Sequence, residues 1–308
     1  MTTMPPAADA TGLFAPVCVV DARCTLGEGP RWNCDEARLY WVDIAERTMM
    51  RWHPVSGAVE SRNFDHPVGC FAFRESGRGL VLGMKDGCAL IDDWAGTPRP
   101  LGAQILSGRP DHRMNDGRCD PAGRFWVGSV DGAKTAHDAA LYRLDGDGAL
   151  REIEGGMLTC NGAAFTADGT RFAHADTPSH TLRLYDCDLA SGMLSNRRSF
   201  HDFPRGVGPG LGRPDGGSFD SEGCYWSALF DGWRVVRLSP DGDILREVRL
   251  PVQRPTMIAF GGDDLMTAFV TSATTGLAAD ALAAQPEAGG VFAFRVDVPG
   301  LPENPFAG

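Results

Sequence analysis

No two of the nine cysteines are spaced C-x-x-C; they stand at positions 18, 24, 34, 70, 88, 119, 160, 187 and 224, spread almost evenly along 308 residues. Such spacing suits neither a zinc cluster nor a dense disulfide framework, so most are expected to be reduced and buried as small apolar residues. A basic stripe is missing too. The formal net charge of -11, from 29 Lys and Arg against 40 Asp and Glu, makes a nucleic-acid backbone or an anionic membrane a poor partner. No apolar stretch approaches the length that spans a bilayer, and the opening MTTMPPAADATGLFAPVCVV lacks a basic start followed by a sustained apolar core. The expectation is a cytoplasmic protein, a monomer or weak homo-oligomer. G-x-S-x-G, P-loop and H-E-x-x-H motifs are absent, and the seven histidines (53, 66, 112, 137, 174, 180 and 201) include no close metal-type pair. A Ser or Cys nucleophile with a His base stays open, since such partners need not be neighbours in sequence. His174, inside an expected strand, reads as a satisfied core histidine, and His112 is the one histidine near the expected site.

Repetition is what the chain does contain. The stretch Asp120-Pro121-Ala122-Gly123 followed by Arg124-Phe125-Trp126-Val127-Gly128 is a tight turn feeding an apolar, aromatic strand. The same order of turn, apolar strand, loop, alternating strand and Gly turn recurs six times, for example at Ser221-Glu222-Gly223 before Cys224-Tyr225-Trp226 and at Ala167-Asp168-Gly169 before Arg171-Phe172-Ala173. The period of roughly 40 to 50 residues is that of four-stranded propeller blades. An all-β fold is therefore expected: a single six-bladed β-propeller over residues 16–308, its four-stranded antiparallel blades around a central channel, preceded by a flexible N-terminal extension over 1–15. Strands near 17–20 and 291–294 are expected to share one blade and close the ring. A β-sandwich or two stacked barrels would not require this regular spacing. The Gly-rich segment 206–212 misses the dinucleotide pattern and reads as a loop near the site.

Polar residues in Gly-rich or apolar settings mark four loops before or at the repeat strands: Glu28 in LGEGPRW, Arg113 with Asn115 and Asp116 in RMNDG, Asn161 in TCNGAAF and Asp215 in GRPDGGSFD. A propeller brings such loops to one mouth of its channel. Glu28, Asn161 and Asp215 would then offer two carboxylates and an amide oxygen, an all-oxygen set suited to a hard divalent ion. Each alone also reads as turn chemistry, because Asn-Gly and Asp-Gly are common turn formers.

Taken together, these motifs resemble the gluconolactonase, senescence marker protein and regucalcin family over nearly the whole chain. The resemblance runs from Gly27-Glu28-Gly29-Pro30-Arg31-Trp32 through Asn115-Asp116-Gly117-Arg118 and Asn161-Gly162 to Pro214-Asp215-Gly216 and Gln285-Pro286-Glu287-Ala288-Gly289-Gly290. It implies a six-bladed propeller that hydrolyses a small-molecule sugar lactone with one divalent metal ion (calcium, zinc, manganese or ferrous iron). It also implies Glu28, Asn161 and Asp215 as metal ligands, Asp215 as the catalytic base, and Arg113 and Asn115 as substrate contacts. The family's further substrate-contacting acid has its nearest counterpart here in Asp131, within Ser129-Val130-Asp131-Gly132. Alternatives from other classes are a metal-binding regulatory protein without turnover, a pure interaction propeller, and a hydrolase of a non-sugar lactone or ester, the last favoured by an apolar mouth.

Overall fold

The computed structural model describes residues 12–308. Six four-stranded antiparallel sheets form a ring, and five are built from consecutive strands: 27–63, 70–101, 112–157, 160–202 and 213–249, blades 1 to 5. Blade 6 takes Pro255–Gly261, Thr267–Ser272 and Val291–Arg295 from late in the chain and adds Val17–Val20 as its outermost strand, with Val17 opposite Ala293. The expected six-bladed propeller and its shared blade are both observed. Most of the expected flexible extension over 1–15 lies outside the described residues. Within its described part, the Phe14 amide donates to the Arg295 carbonyl at 2.9 Å and the Phe14 ring stacks on Trp226, with centroids 6.4 Å apart.

Local turn chemistry explains why the blades repeat. The Asp120 carboxylate accepts the backbone amides of Ala122 and Arg124 at 3.0 Å each, the Arg124 Nε at 2.6 Å and the Trp126 indole at 2.8 Å. Asp220 does the same in blade 5 for Glu222, Cys224, the Arg237 side chain and the Trp226 indole. In both turns a glycine takes the left-handed conformation (Gly123 at φ 78°, Gly223 at φ 75°) that a side chain would resist. One aspartate thus ties the turn, the start of the next strand and a buried tryptophan together.

The core lies between blades rather than along the axis. Met114, Val127 and Tyr142 of blade 3 pack with Cys70, Val81 and Cys88 of blade 2, and Trp226 and Val235 of blade 5 pack with Ile258 and Phe292 of blade 6. Seven cysteines are buried, six of them in such clusters, and none of the nine is paired, as the spacing predicts. The innermost strands, Gly27–Asn33, Cys70–Phe73, His112–Cys119, Cys160–Phe165, Arg213–Phe219 and Pro255–Gly261, touch one another in cyclic order around the channel.

Beyond blade 6, residues 299–308 run across one end of the ring. The Ser221 amide donates to the Pro299 carbonyl, Gly300 bridges Asp220, Phe306 is buried beside blade 2 and the Ala307 amide donates to the Gly123 carbonyl. On the way Glu303 enters the channel, 3.4 Å from Arg31 Nε and 3.4 Å from Arg118 Nη2. Both arginines are buried. Arg31 also donates to the Gly117 carbonyl at 2.7 Å, and Arg118 to the Ser218 hydroxyl at 2.7 Å.

Candidate active site

At the end of the channel away from this C-terminal segment, the innermost strands of blades 1, 3, 4 and 5 each carry an irregularity in register: between Glu28 and Arg31, Met114 and Gly117, Asn161 and Ala164, and Pro214 and Gly217. A bulge of this kind sets an extra residue against the partner strand and re-aims its side chains. The residues expected in loops therefore sit on strands, at or beside bulges. Asn161-Gly162 makes such a bulge, with Gly162 at φ 68° and the site's Cβ direction blocked by the Tyr225 hydroxyl, in place of a hairpin turn.

A cavity of about 460 Å³ opens there, lined by Glu28, Arg113, Asn115, Asn161 and Asp215 among others. A slightly larger one, of about 490 Å³, lies near the opposite end between blades 1 and 2. Two of its three arginines already face acids, Arg51 with Glu60 at 2.7 Å and Arg74 with Asp92 at 3.1 Å, so the chemistry points to the smaller cavity.

A chain of hydrogen bonds crosses three blades and fixes the amides. Arg113 Nη1 donates to Asn115 Oδ1 at 2.6 Å; Asn115 Nδ2 donates to Asn161 Oδ1 at 2.7 Å and to the Cys160 carbonyl at 2.9 Å. Asn161 Nδ2 donates to Thr177 Oγ1 at 2.8 Å, and that hydroxyl donates to the Pro214 carbonyl at 2.8 Å. Both Asn115 N–H groups are thereby used, and Asn161 Oδ1 keeps a second lone pair free.

Carboxylates dominate the electrostatics. Asp116 is buried and well supplied with donors, the Gly117 amide at 2.7 Å and the Ala163 amide at 3.0 Å, with Arg31 at 4.0 Å. Among the described residues Glu28 accepts only the Gly29 amide, at 3.2 Å. Burial, then the charges of Asp215 and Asp116, push the Glu28 carboxyl well above its ordinary range. Burial and Asp116 push Asp215 up to about 8, against the pull of Arg213, Lys134 and Arg113. Burial holds the Arg113 guanidinium down to about 10, with Glu28 and Asp215 opposing. Two buried acids short of protein donors, beside an amide oxygen with a free lone pair, form a donor set that a divalent cation would satisfy.

Another cluster, His112, Asp131 and Asp138, has ligand atoms within 4.8 Å of one another. Its donors are already committed. Asp131 accepts the amides of Ala133, Thr135 and Ala136 at 2.9 to 3.0 Å, and Asp138 pairs with His112 Nε2 at 2.6 Å and with Arg109. Of the six residues expected at the site, five line the cavity. Asp131 does not: its carboxylate holds its own loop, and Val130, Gly132 and Lys134 around it face the cavity instead. Sequence reasoning assigned no role to Thr177, Lys85, Lys134 or Arg213; the Asp-Thr-Pro that opens the short 3-10 helix Thr177–Ser179 was the one available signal for Thr177. His174 is buried as expected, but neither ring nitrogen has a partner among the described residues, so it is a core histidine and not a satisfied one.

The chain is similar to known proteins over nearly its whole length. The family described as "SMP-30/Gluconolactonase/LRE-like region" matches residues 26–274. A 6-deoxy-6-sulfogluconolactonase of Pseudomonas putida is 43% identical over 94% of this chain and 98% of that protein, and a regucalcin of Danio rerio is 35% identical with the same coverage. Among solved structures, a calcium-binding regucalcin from Agrobacterium tumefaciens superposes with a TM-score of 0.89 at 26% identity, covering 95% of this chain and 97% of that one.

Proposed function

This chain belongs to the SMP-30/gluconolactonase/LRE-like family, and from that membership and the cavity's residues we propose that it hydrolyses a sugar-derived aldonolactone to the open aldonic acid. The observation that carries the reading is the convergence of Glu28, Asn161 and Asp215, from three different blades, beside the bonded pair Arg113 and Asn115. The polar lining favours a polyol lactone over an apolar ester. Glu28, Asn161 and Asp215 would hold one divalent ion, which when bound supplies Lewis-acid polarisation of the lactone carbonyl and stabilises the charge that develops on its oxygen.

The chain's own groups carry the remaining work. Asp215, buried and lining the cavity beside Glu28 and Asn161, receives the proton of the attacking water on its carboxylate. Arg113 spends Nη1 on Asn115 Oδ1 and on the Met114 carbonyl, which leaves its Nε and Nη2 N–H groups for substrate oxygens. Asn115, with both its donors spent within the protein, acts chiefly by holding Arg113 and Asn161 in place.

The test is acid release from a panel of aldonolactones, which should include gluconolactone, xylonolactone, arabinolactone, galactonolactone and 6-deoxy-6-sulfogluconolactone, before and after chelation. Turnover that is lost on chelation and restored by an added divalent ion is expected; full activity in metal-free protein would remove the metal from this account. Asp215→Asn keeps one oxygen ligand, so at saturating metal its kcat should still fall by about 10²- to 10⁴-fold. Recovery to near the parent kcat would leave Asp215 as a ligand only.

A further inference from the structure

The formal charge of the cavity opposes that of the molecule. Three acids line it, Glu28, Asp111 and Asp215, against four permanent cations, Lys85, Arg113, Lys134 and Arg213, in a chain whose net charge is -11. Arg113 belongs to the reacting end, where it is bonded to Asn115. The other three stand around the mouth. The Lys85 ammonium donates to two carbonyls, those of Arg109 at 2.7 Å and of His112, which orient it without neutralising it. Arg213 pairs with Asp231 at 2.6 Å, but Asp231 also takes Arg254 at 2.7 Å, so that group of three keeps one positive charge. Lys134 forms no ion pair among the described residues, and its backbone is held at φ 53° in a loop whose amides are gathered by the buried Asp131 carboxylate. An acid that would have faced the cavity is thus spent on fixing a lysine over it. A bound divalent ion would offset two of the three acids and leave the positive excess larger.

We propose that the cavity selects lactones carrying a second, ionised group on the terminal carbon, a sulfonate, phosphate or carboxylate, and that Lys85, Lys134 and Arg213 form the seat for it. The inference rests on the lactonase reading and narrows it to anionic substrates. These cations act on specificity and capture: a neutral sugar lactone gains nothing from them, whereas an anion is drawn to the mouth and oriented with its ring toward Asp215.

The experiment compares kcat/KM of the metal-loaded full chain for gluconolactone and for its 6-sulfonate, 6-phosphate and 6-carboxylate counterparts, which separates the three anion types. An anionic lactone should be preferred by about tenfold or more, and Lys85→Gln and Lys134→Gln should each lower that preference about 2- to 5-fold, the range for partly exposed ion pairs. Raising salt from about 0.05 M to about 0.5 M should compress it further. Equal or better use of the neutral lactone, or a preference that neither substitution nor salt alters, would overturn the proposal while leaving lactone hydrolysis standing. If none of the lactones is hydrolysed, the lactonase reading fails. Calorimetry with gluconate and 6-sulfogluconate then decides the seat separately: tighter binding of the sulfonated acid that weakens in Lys134→Gln supports it, and equal binding rejects it.

Discussion

His174 offers a quantitative prediction because its surroundings are simple. The ring is buried in Arg171–Asp176, stacks on Phe172 with centroids 5.8 Å apart and planes 19° apart, and lies across from Arg183 in the next strand. Neither nitrogen has a hydrogen-bond partner among the described residues. Burial, with Arg183 adding to it, lowers its pKa from 6.5 to about 3. The unfolded chain therefore binds the proton first. The contribution to stability is fully present above about pH 6.5 and drains away as the pH falls toward about 3, at a limiting slope of about 1.4 kcal/mol per pH unit. Integrated from about pH 7 to about pH 5, this one group removes about 2 kcal/mol. His174→Leu, of similar volume and without a titrating group, should lose about 2 kcal/mol less over that interval, since all other acids and bases are shared. Parallel denaturant titrations of both proteins at the two pH values measure the difference directly through their midpoints. Equal losses in the two proteins would refute the reasoning and imply that the folded state takes up the proton at His174 as readily as the unfolded chain.

Asn115→Leu removes the donor that orients Asn161 Oδ1 and should weaken divalent-ion binding by about 10- to 100-fold, the usual scale for a group that orients a ligand, as read by calorimetric titration. Asp120→Ala strips four donors of a single buried acceptor and should destabilise the protein by about 3 to 5 kcal/mol, with quenching or shift of the Trp126 fluorescence as a second readout. Glu303→Gln leaves Arg31 and Arg118 buried with Asp116 as their nearest acid and should lower stability by about 3 kcal/mol, measured by denaturation. Unchanged midpoints in either of the last two would refute the corresponding assignment.

How much of this was legible in the sequence depended on the range of the interaction. The blades were readable because turn and apolar strand repeat locally, most fully in blades 3 and 5, where an aspartate, a left-handed glycine and a tryptophan six residues after the aspartate settle the turn at Asp120-Gly123-Trp126 and Asp220-Gly223-Trp226. Glu28, Asn161 and Asp215 were readable as residues but not as geometry, because a bulge is a property of two strands and Asn161-Gly162 alone looks like a hairpin turn. Asp131 was expected beside the substrate, yet the amides of residues 133 to 136 compete for its carboxylate, a contest decided by loop conformation. Glu303 gave no signal at all, since its partner Arg31 lies some 270 residues earlier. His174 was placed correctly in the core, but the lack of any partner shows only once all its neighbours are in place.

The shared sixth blade has a consequence for synthesis. Val17–Val20 emerges early from the ribosome, and its pairing strand, Val291–Arg295, follows roughly 270 residues later; at about 5 to 20 residues per second that is a delay of roughly 15 to 55 s. Blades 1 to 5 can each complete their ladders as they appear. During that interval the first blade-6 strand has no ladder to join, and the arc of finished blades exposes an open flank at either end. Closure is therefore the final and most non-local event of folding. Substitutions confined to Val17–Val20 should slow the arrival of native protein while leaving the interior of the first five blades intact.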